Sequence, residues 1–316
     1  MTPPVGAIAR APSDGFLRTL WQGEVAHALR RSRVAGIAAI VLAAMLAAAL
    51  FAPLVAPHDP FDLASLDLGN ALLPPAWLEG GRATFGLGTD DQGRDLWSAI
   101  LYGARTSLGV GLASVALAVV LGVSLGLVAG YAGGRVDAFI MRVADVQLSF
   151  PAILIALLID GVARAALPPT VHEHAALVVL VAAIAAANWV QYARSVRSST
   201  LVEKQREYVQ AARVIGIAPL AIMRRHLLPN VLGPVVVLAT INVATAIVTE
   251  ATLSFLGVGV PVTQPSLGSL IRIGNDFLFS GEWWITIFPG AALVIMVLAI
   301  NLVGDALRDA LDPRLK

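Results

Sequence analysis

The chain has 316 residues, of which 57% are hydrophobic and only 14% are charged. A soluble domain is typically about 45–50% apolar and about 25% charged, so this chain has too few charges to cover a soluble surface. Its formal net charge is +1 and it contains no cysteine. The composition predicts an integral membrane protein and excludes disulfides and cysteine nucleophiles. We expect no nucleic-acid partner, because no basic patch is interleaved with aromatic residues.

Six long apolar runs predict an all-α integral membrane protein with about six transmembrane helices. The first run follows a tail of residues 1–33, and its length indicates an uncleaved anchor rather than a signal peptide. The runs cover residues 34–56, 104–130, 138–162, 175–193, 231–256 and 285–303. They divide the chain into the tail, the anchor 34–56, a loop 57–103, a main transmembrane domain 104–305 and a second tail 306–316.

The distribution of Lys and Arg predicts the orientation, because cytoplasmic segments of membrane proteins are enriched in these residues. Of the 22 Lys and Arg residues, 16 fall on one side of the predicted bundle and five on the other. The richer side contains both termini and the segment 194–230. We therefore expect both termini in the cytoplasm, and the loops 57–103, 163–174 and 257–284 outside.

The loop 57–103 ends in a pattern that predicts a short helix. Glycines favour a turn, and Asp90 or Asp91 is suited to cap a helix that follows it. Apolar residues then recur at helical spacing from Leu96, and Trp97 is of the type that lies at headgroup depth. We predict a short helix lying in the membrane interface here.

The second span carries Gly122, Gly126 and Gly130 at intervals of four residues. This spacing places the glycines on one helix face, where a neighbouring backbone can approach closely. The alternative is that glycine is simply common in membrane helices. We favour close helix packing.

Four ionisable side chains fall inside predicted spans. Such groups are functional by default in membrane proteins, but Arg142 and Asp145 are close enough in sequence to pair locally. Asp160 and Glu250 lie toward the predicted outer ends of their spans, within reach of water. Structural roles are therefore favoured over ion coupling, and Asp145 and Glu250 are kept as candidate pathway or structural residues.

The segment 194–230 is too polar to lie in lipid. Helix-forming residues run from Glu207 to a break at Gly216, and Pro219 suits the first turn of a second helix, which we expect to end at Leu228 and Pro229. Two short helices at an angle are predicted to project into the cytoplasm. Their small residues Ala211, Ala212 and Gly216 would let a partner approach closely. The alternative interpretation is a helical linker that packs on its own bundle.

No nucleotide-binding loop is present. Such a loop needs a lysine directly after a glycine, and the two lysines, Lys204 and Lys316, follow Glu203 and Leu315. We predict no ATP hydrolysis by this chain, no catalytic residue and no metal site.

Several motifs then indicate a family. Residues 208–216 (YVQAARVIG), followed after nine residues by 226–230 (HLLPN), resemble the EAA motif of ABC importer permeases, with Gln210 in place of the glutamate. Residues 88–95 (GTDDQGRD), 145–151 (DVQLSFP) and 250–259 (EATLSFLGVG) resemble the dipeptide/oligopeptide/nickel branch, and the whole chain is similar to its C-type permease subunit.

This resemblance implies the transmembrane domain of a type I ABC importer. The implied partners are a homologous second permease, two cytoplasmic ATPases that bind ATP and Mg²⁺, an extracytoplasmic substrate-binding protein and membrane lipid. It implies the bacterial cytoplasmic (inner) membrane as location, and peptides as substrate, with nickel, glutathione or another small solute as alternatives. A stand-alone secondary transporter or channel, or a scaffold, stays the alternative of a different class. The residues implied to couple the chain to the ATPase are Gln210, Ala211, Ala212, Gly216, Pro219, Arg225, Leu228 and Pro229.

Overall fold

A computed structural model of the chain describes residues 32–60, 62, 66–260, 264 and 266–311. Regular structure in these residues is helical, and one isolated bridge joins Thr89 to Asp95. Nearly all of the predicted tail 1–33 lies outside the described residues, as do the last residues of the tail 306–316. The α-helices are α1 (Arg33–Leu50), α2 (Ala52–Val55), α3 (Leu96–Ala132), α4 (Gly134–Leu148), α5 (Ala152–Ala166), α6 (Pro169–Glu203), α7 (Glu207–Val214), α8 (Pro219–Ile222), α9 (Leu228–Phe255), α10 (Leu267–Phe277) and α11 (Trp284–Leu311).

The predicted bundle of about six membrane helices is confirmed. Five stretches of the described chain are long and apolar enough to cross a bilayer, namely α1, α3, most of α6, α8 joined to α9, and most of α11. A sixth crossing results if the bent pair α4 and α5 is counted as one span. With 37 residues, α3 is about 55 Å long, whereas the hydrocarbon core is about 30 Å thick. This helix therefore extends beyond the membrane.

The predicted interfacial helix is wrong, because Leu96 begins α3 itself. The Asp95 carboxylate caps this helix by accepting hydrogen bonds from the backbone N–H and the hydroxyl of Ser98, at 2.9 and 2.5 Å. Leu96, Ile100 and Leu101 are buried in the protein. They pack against the bundle rather than facing lipid. The first turns of α3 continue into its membrane-spanning part without a break.

The third predicted span is bent. α4 and α5 meet at an angle of 96° across a break of three residues that ends in Pro151. A proline ring clashes with the preceding turn and lacks an N–H, so a straight helix cannot continue through this position. The 138–162 run is therefore two helices in one apolar stretch.

The predicted helix end at Leu228 and Pro229 is also wrong. A π-helical turn, Met223–Leu227, links α8 to α9 without interruption. Pro229 falls in the first turn of α9, directly after this π-helical turn, so the helix continues through a residue that lacks an N–H. The second short helix of the segment is therefore continuous with the fifth span.

The core of the bundle is built on α3. This helix packs along α6 and also contacts α9, while α10 and α11 pack together at one end. The α10 helix, which the apolar runs did not predict, lies in the loop 257–284 and begins with a reciprocal capping box between Ser266 and Ser269. Its buried residues Leu267 and Leu270 join the same hydrophobic cluster as Leu96, so this loop is an ordered part of the bundle.

Candidate functional site

The turn after α7 has the geometry of a Schellman motif, a common way to end a helix. Gly216 has φ of +79°, a left-handed conformation that glycine adopts without steric cost. Its N–H donates to the carbonyl of Arg213, and the N–H of Ile217 donates to the carbonyl of Ala212, both at 3.0 Å. Pro219 then starts α8. The glycine thus fixes the angle between the two short helices.

One side of this segment packs on the bundle. Val209, Ala212, Ile222 and Leu227 are buried, in a cluster that includes Tyr192 of α6. The expectation that Ala212 offers a surface to a partner is therefore wrong, since this side chain faces the chain's own core. Ala211 and Gln210 are exposed, and a side chain at Gly216 would meet open space.

The other side ends in three exposed apolar side chains. Val214 is 87% exposed, Ile215 is 74% exposed and Leu220 is 61% exposed. We call these three residues the apolar tip. They flank the Gly216 turn in the most polar segment of the chain, where apolar exposure is otherwise costly. Several exposed apolar side chains beside one turn are a feature of protein interaction sites.

Hydrogen bonds also attach the segment to the neighbouring helices. The Tyr208 hydroxyl donates to the Glu203 carboxylate at 2.5 Å and accepts from the Asn230 amide at 3.0 Å. Burial and the Glu203 carboxylate raise the pKa of Tyr208 to about 12, so its hydroxyl keeps its proton at neutral pH. The Lys204 ammonium donates to the Gly130 carbonyl at 2.7 Å. The frame under the tip is therefore joined to α3, α6 and α9.

The remaining residues of the predicted coupling set lie nearby. Pro219, Arg225 and Pro229 are exposed, whereas Leu228 is half-buried and packs against the cluster under the segment. Sequence analysis missed the apolar tip and Tyr208. The signal for the tip was available, since a valine, an isoleucine and a leucine flank a helix-breaking glycine in a polar segment. Periodicity alone does not show which apolar residues face outward.

The glycine face of α3 lies directly against α6. A Cβ atom added at Gly122 would be 2.5 Å from the Tyr192 Cβ, and one added at Gly126 would be 2.5 Å from the Ala193 carbonyl oxygen. A Cβ at Gly130 would be 2.7 Å from the Thr200 Cβ. These separations are shorter than van der Waals contact, so the two backbones lie closer than any side chain on α3 would permit.

Asp145 and Glu250 occupy different surroundings. Asp145 forms an ion pair with Arg194 of α6, instead of the local pair with Arg142 that its spacing suggested. Glu250 is fully buried, and its carboxylate accepts a hydrogen bond from Ser254 at 2.7 Å. Asp160 is also buried, at 2% exposure, beside Arg164. The expected access of water to Glu250 and Asp160 is therefore wrong for the chain on its own.

The loop before α3 is held by a buried ion pair. The Arg94 guanidinium donates to the Asp90 carboxylate at 2.6 Å, and both side chains are almost fully buried. The Trp284 indole at the start of α11 donates to the Thr89 carbonyl at 3.2 Å. The motif of residues 88–95 thus joins the loop to the end of the bundle.

Comparison with known proteins supplies the family. Residues 122–316 match the profile of the binding-protein-dependent transport system inner membrane component. Residues 19–75 match the N-terminal transmembrane domain of oligopeptide transport permease C.

Full-length relatives and a solved structure agree with these matches. The di/tripeptide transport system permease DppC of Pseudomonas aeruginosa is 42% identical over 84% of this chain and 83% of its own. The dipeptide transport system permease DppC of Haemophilus influenzae is 39% identical over 91% and 92%. An inward-facing structure of the MetNI methionine ABC transporter has a TM-score of 0.52 at 21% identity, covering 68% of this chain and 97% of that one. The chain thus shares the type I ABC importer fold.

Proposed function

We propose that this chain, which belongs to the family of binding-protein-dependent transport system inner membrane components, forms half of the translocation pathway of an ATP-driven peptide importer. A homologous permease forms the other half. Two cytoplasmic ATPases bind ATP and Mg²⁺ and hydrolyse the nucleotide, and an extracytoplasmic binding protein delivers the substrate. This chain itself is a non-catalytic, multi-pass subunit of the bacterial inner membrane with both termini in the cytoplasm.

The observation that carries the proposal is the apolar tip on a fixed frame. Val214, Ile215 and Leu220 are exposed, whereas the opposite side of the same two helices is packed and hydrogen-bonded to the bundle. A segment fixed in this way passes a displacement on to the helices beneath it, because it cannot move separately from them. An autonomous transporter has no evident use for an exposed apolar tip, and a linker that only packs on its own bundle does not need one. Both points favour a coupling role.

The mechanism follows from this geometry. The tip docks on an ATPase subunit, where its apolar side chains lose contact with water. ATP binding closes the ATPase pair, and this movement displaces the segment as a rigid body. Tyr208 and Lys204 carry the displacement into the helices that they bond. α3 and α6 move together, because the glycine face holds their backbones in contact, and the pathway changes its access.

Peptides are the proposed substrate, because the relatives that match most of this chain are named as dipeptide or di/tripeptide permeases. Nickel, glutathione and other solutes carried by the same importer class are the alternatives. Selection among them lies largely in the binding protein, which is a separate chain. Uptake of labelled dipeptide in a strain lacking this subunit and any redundant system distinguishes them: loss of uptake is expected, and unchanged uptake contradicts the peptide assignment.

Purification of the tagged chain in mild detergent tests the assembly. We expect a second permease and ATPase subunits to co-purify, with vanadate-sensitive ATP hydrolysis. A chain that purifies alone, stable and without ATPases, contradicts the proposal and returns Asp145 and Glu250 to consideration as ion-coupling groups.

A further inference from the structure

A cavity of about 570 Å³ opens between α3 and α6, far along both helices from the coupling segment. Its polar lining comes from Tyr102, Arg105 and Thr106 of α3 and from Gln264 of the loop before α10. Its apolar lining includes Leu177 and Val181 of α6. Pockets for small ligands typically have volumes of about 300–1,000 Å³, mostly apolar walls and a few polar groups. This cavity has that composition.

The polar groups of the cavity lie on one face of α3. Tyr102, Arg105 and Thr106 are separated by three and four positions, which brings their side chains together on a helix. The Arg105 side chain is exposed, and none of the ion pairs among the described residues includes it. A guanidinium binds a carboxylate through two parallel hydrogen bonds, so Arg105 offers the cavity an anion-binding group.

A second charge narrows the class of ligand. The Asp59 carboxylate and the Arg105 guanidinium both act electrostatically on the Tyr102 hydroxyl, so charges of both signs lie near one end of the cavity. A short peptide with free termini carries one charge of each sign and apolar side chains, which suit Leu177 and Val181.

We propose that this cavity is a transient binding site for unblocked short peptides, in which Arg105 binds the C-terminal carboxylate. The proposal rests on the proposed function and on the predicted orientation, which places this end of α3 on the extracytoplasmic side. It makes the chain a contributor to substrate recognition after the binding protein has released the peptide.

Cysteine protection in the complete importer tests the site, because this chain contains no cysteine. Val181→Cys introduces a single thiol into the cavity, and its maleimide labelling is followed on this subunit in proteoliposomes during ATP turnover. The probe is a dipeptide whose uptake by the same proteoliposomes has been measured. The rate of labelling is measured with and without the peptide, first in the Val181→Cys variant and then in the double variant that also carries Arg105→Gln. The matched control is Arg82→Gln, an exposed arginine of the outer loop that bonds Asn70.

We expect the dipeptide to slow labelling of Val181→Cys several-fold. In the double variant with Arg105→Gln, labelling in the presence of the peptide should return to the peptide-free rate. In the double variant with Arg82→Gln, the peptide should still slow labelling. If the peptide is taken up but labelling is unaffected, or if Arg105→Gln protects as well as Arg82→Gln, the cavity is not the site and the inference is overturned. If the Val181→Cys importer itself takes up no peptide while the unmodified importer does, Gly109→Cys in the same cavity replaces it. If the unmodified importer takes up no peptide, the proposed function fails instead.

Discussion

Gly216 determines where the apolar tip points, because it reverses the chain at the end of α7 with a left-handed φ of +79°. A side chain here meets open space within this subunit, so its effect falls on a docked partner and on the backbone. We predict that Gly216→Trp leaves the bundle inserted but lowers peptide-stimulated ATP hydrolysis by the complex severely. The backbone strain itself is only about 1–2 kcal/mol.

Gly216→Asn is the matched control, since asparagine tolerates the left-handed conformation and adds little bulk. It should retain most of the coupling. Normal ATP hydrolysis and uptake in Gly216→Trp would remove the segment from its coupling role.

Two adjacent aspartates in the loop before α3 should affect stability at pH 7 with opposite sign. Burial, and then the neighbouring Asp90, raise the pKa of Asp91 above its ordinary value of 3.8. The folded loop therefore binds this proton more tightly than the unfolded chain does. Its contribution to stability is fully present below pH 3.8 and is lost as the pH rises through the raised value.

Asp91→Asn removes the buried carboxylate charge that destabilises the folded loop at neutral pH. The variant should therefore have a higher unfolding temperature than the wild type at pH 7, and the difference should shrink toward acid pH. Asp90→Asn should do the reverse at pH 7, because it leaves the buried Arg94 guanidinium without its carboxylate, a change that costs about 3–5 kcal/mol in comparable sites. Thermal unfolding in detergent measures both. A destabilised Asp91→Asn at pH 7 would contradict the argument.

Tyr208 joins the end of α6, the start of α7 and the start of α9 through one hydroxyl. Tyr208→Phe keeps the ring and removes both hydrogen bonds. A hydrogen bond to a charged group contributes about 1.5–3 kcal/mol to the free energy of unfolding, and less when it is half-exposed. We therefore expect the variant to fold. Amide exchange should increase in residues 204–217, and coupling should fall. Unchanged exchange there would show that apolar packing alone holds the frame.

At the scale of elements, contact between α3 and α6 depends on the glycine face. Gly126→Ala places a Cβ atom 2.5 Å from the Ala193 carbonyl oxygen, and overpacking of this kind costs about 1–3 kcal/mol. The unfolding temperature should fall. Gly233→Ala on α9 is the control, since no atom lies within 4 Å of the added methyl and alanine favours the helix by up to about 1 kcal/mol. Equal effects of the two substitutions would contradict close packing.

The sequence predicted the elements well where composition alone decides them. Long apolar runs must be spans, and a glycine followed by a proline marks a turn. It did not predict the start of α3, because a capped helix beginning at Leu96 and an interfacial helix there have the same periodicity. It also did not predict α10, because the buried residues Leu267 and Leu270 lie in a short helix and not in a long apolar run.

The Gly216 turn was predicted in position, but the directions of the side chains around it were not. The motif located the Gly216 turn, but only the packing shows that Ala212 faces inward and Val214 outward. Glu250 and Asp160 lie near helix ends in sequence, yet neighbouring elements cover them in the fold. Burial of these side chains depends on contacts between distant segments, which a single sequence does not contain.

At the scale of the whole molecule, the described chain is a bundle with a proposed functional site at each end. The apolar tip at one end and the Arg105 cavity at the other are connected by α3 and α6, which the glycine face holds together. The molecule is therefore suited to convert movement at the tip into a change of access at the cavity.

The most direct test of this account is cross-linking from the tip in the assembled importer. Val214→Cys provides a single thiol in this chain, and Val178→Cys on α6, also exposed, is the control on the predicted opposite half of the bundle. A short bifunctional reagent that joins a thiol to a lysine should link Val214→Cys, but not Val178→Cys, to an ATPase subunit. The yield should change when ATP and vanadate trap the closed ATPase pair. An importer that takes up peptide normally but gives no ATPase cross-link from the tip in either state would contradict the account.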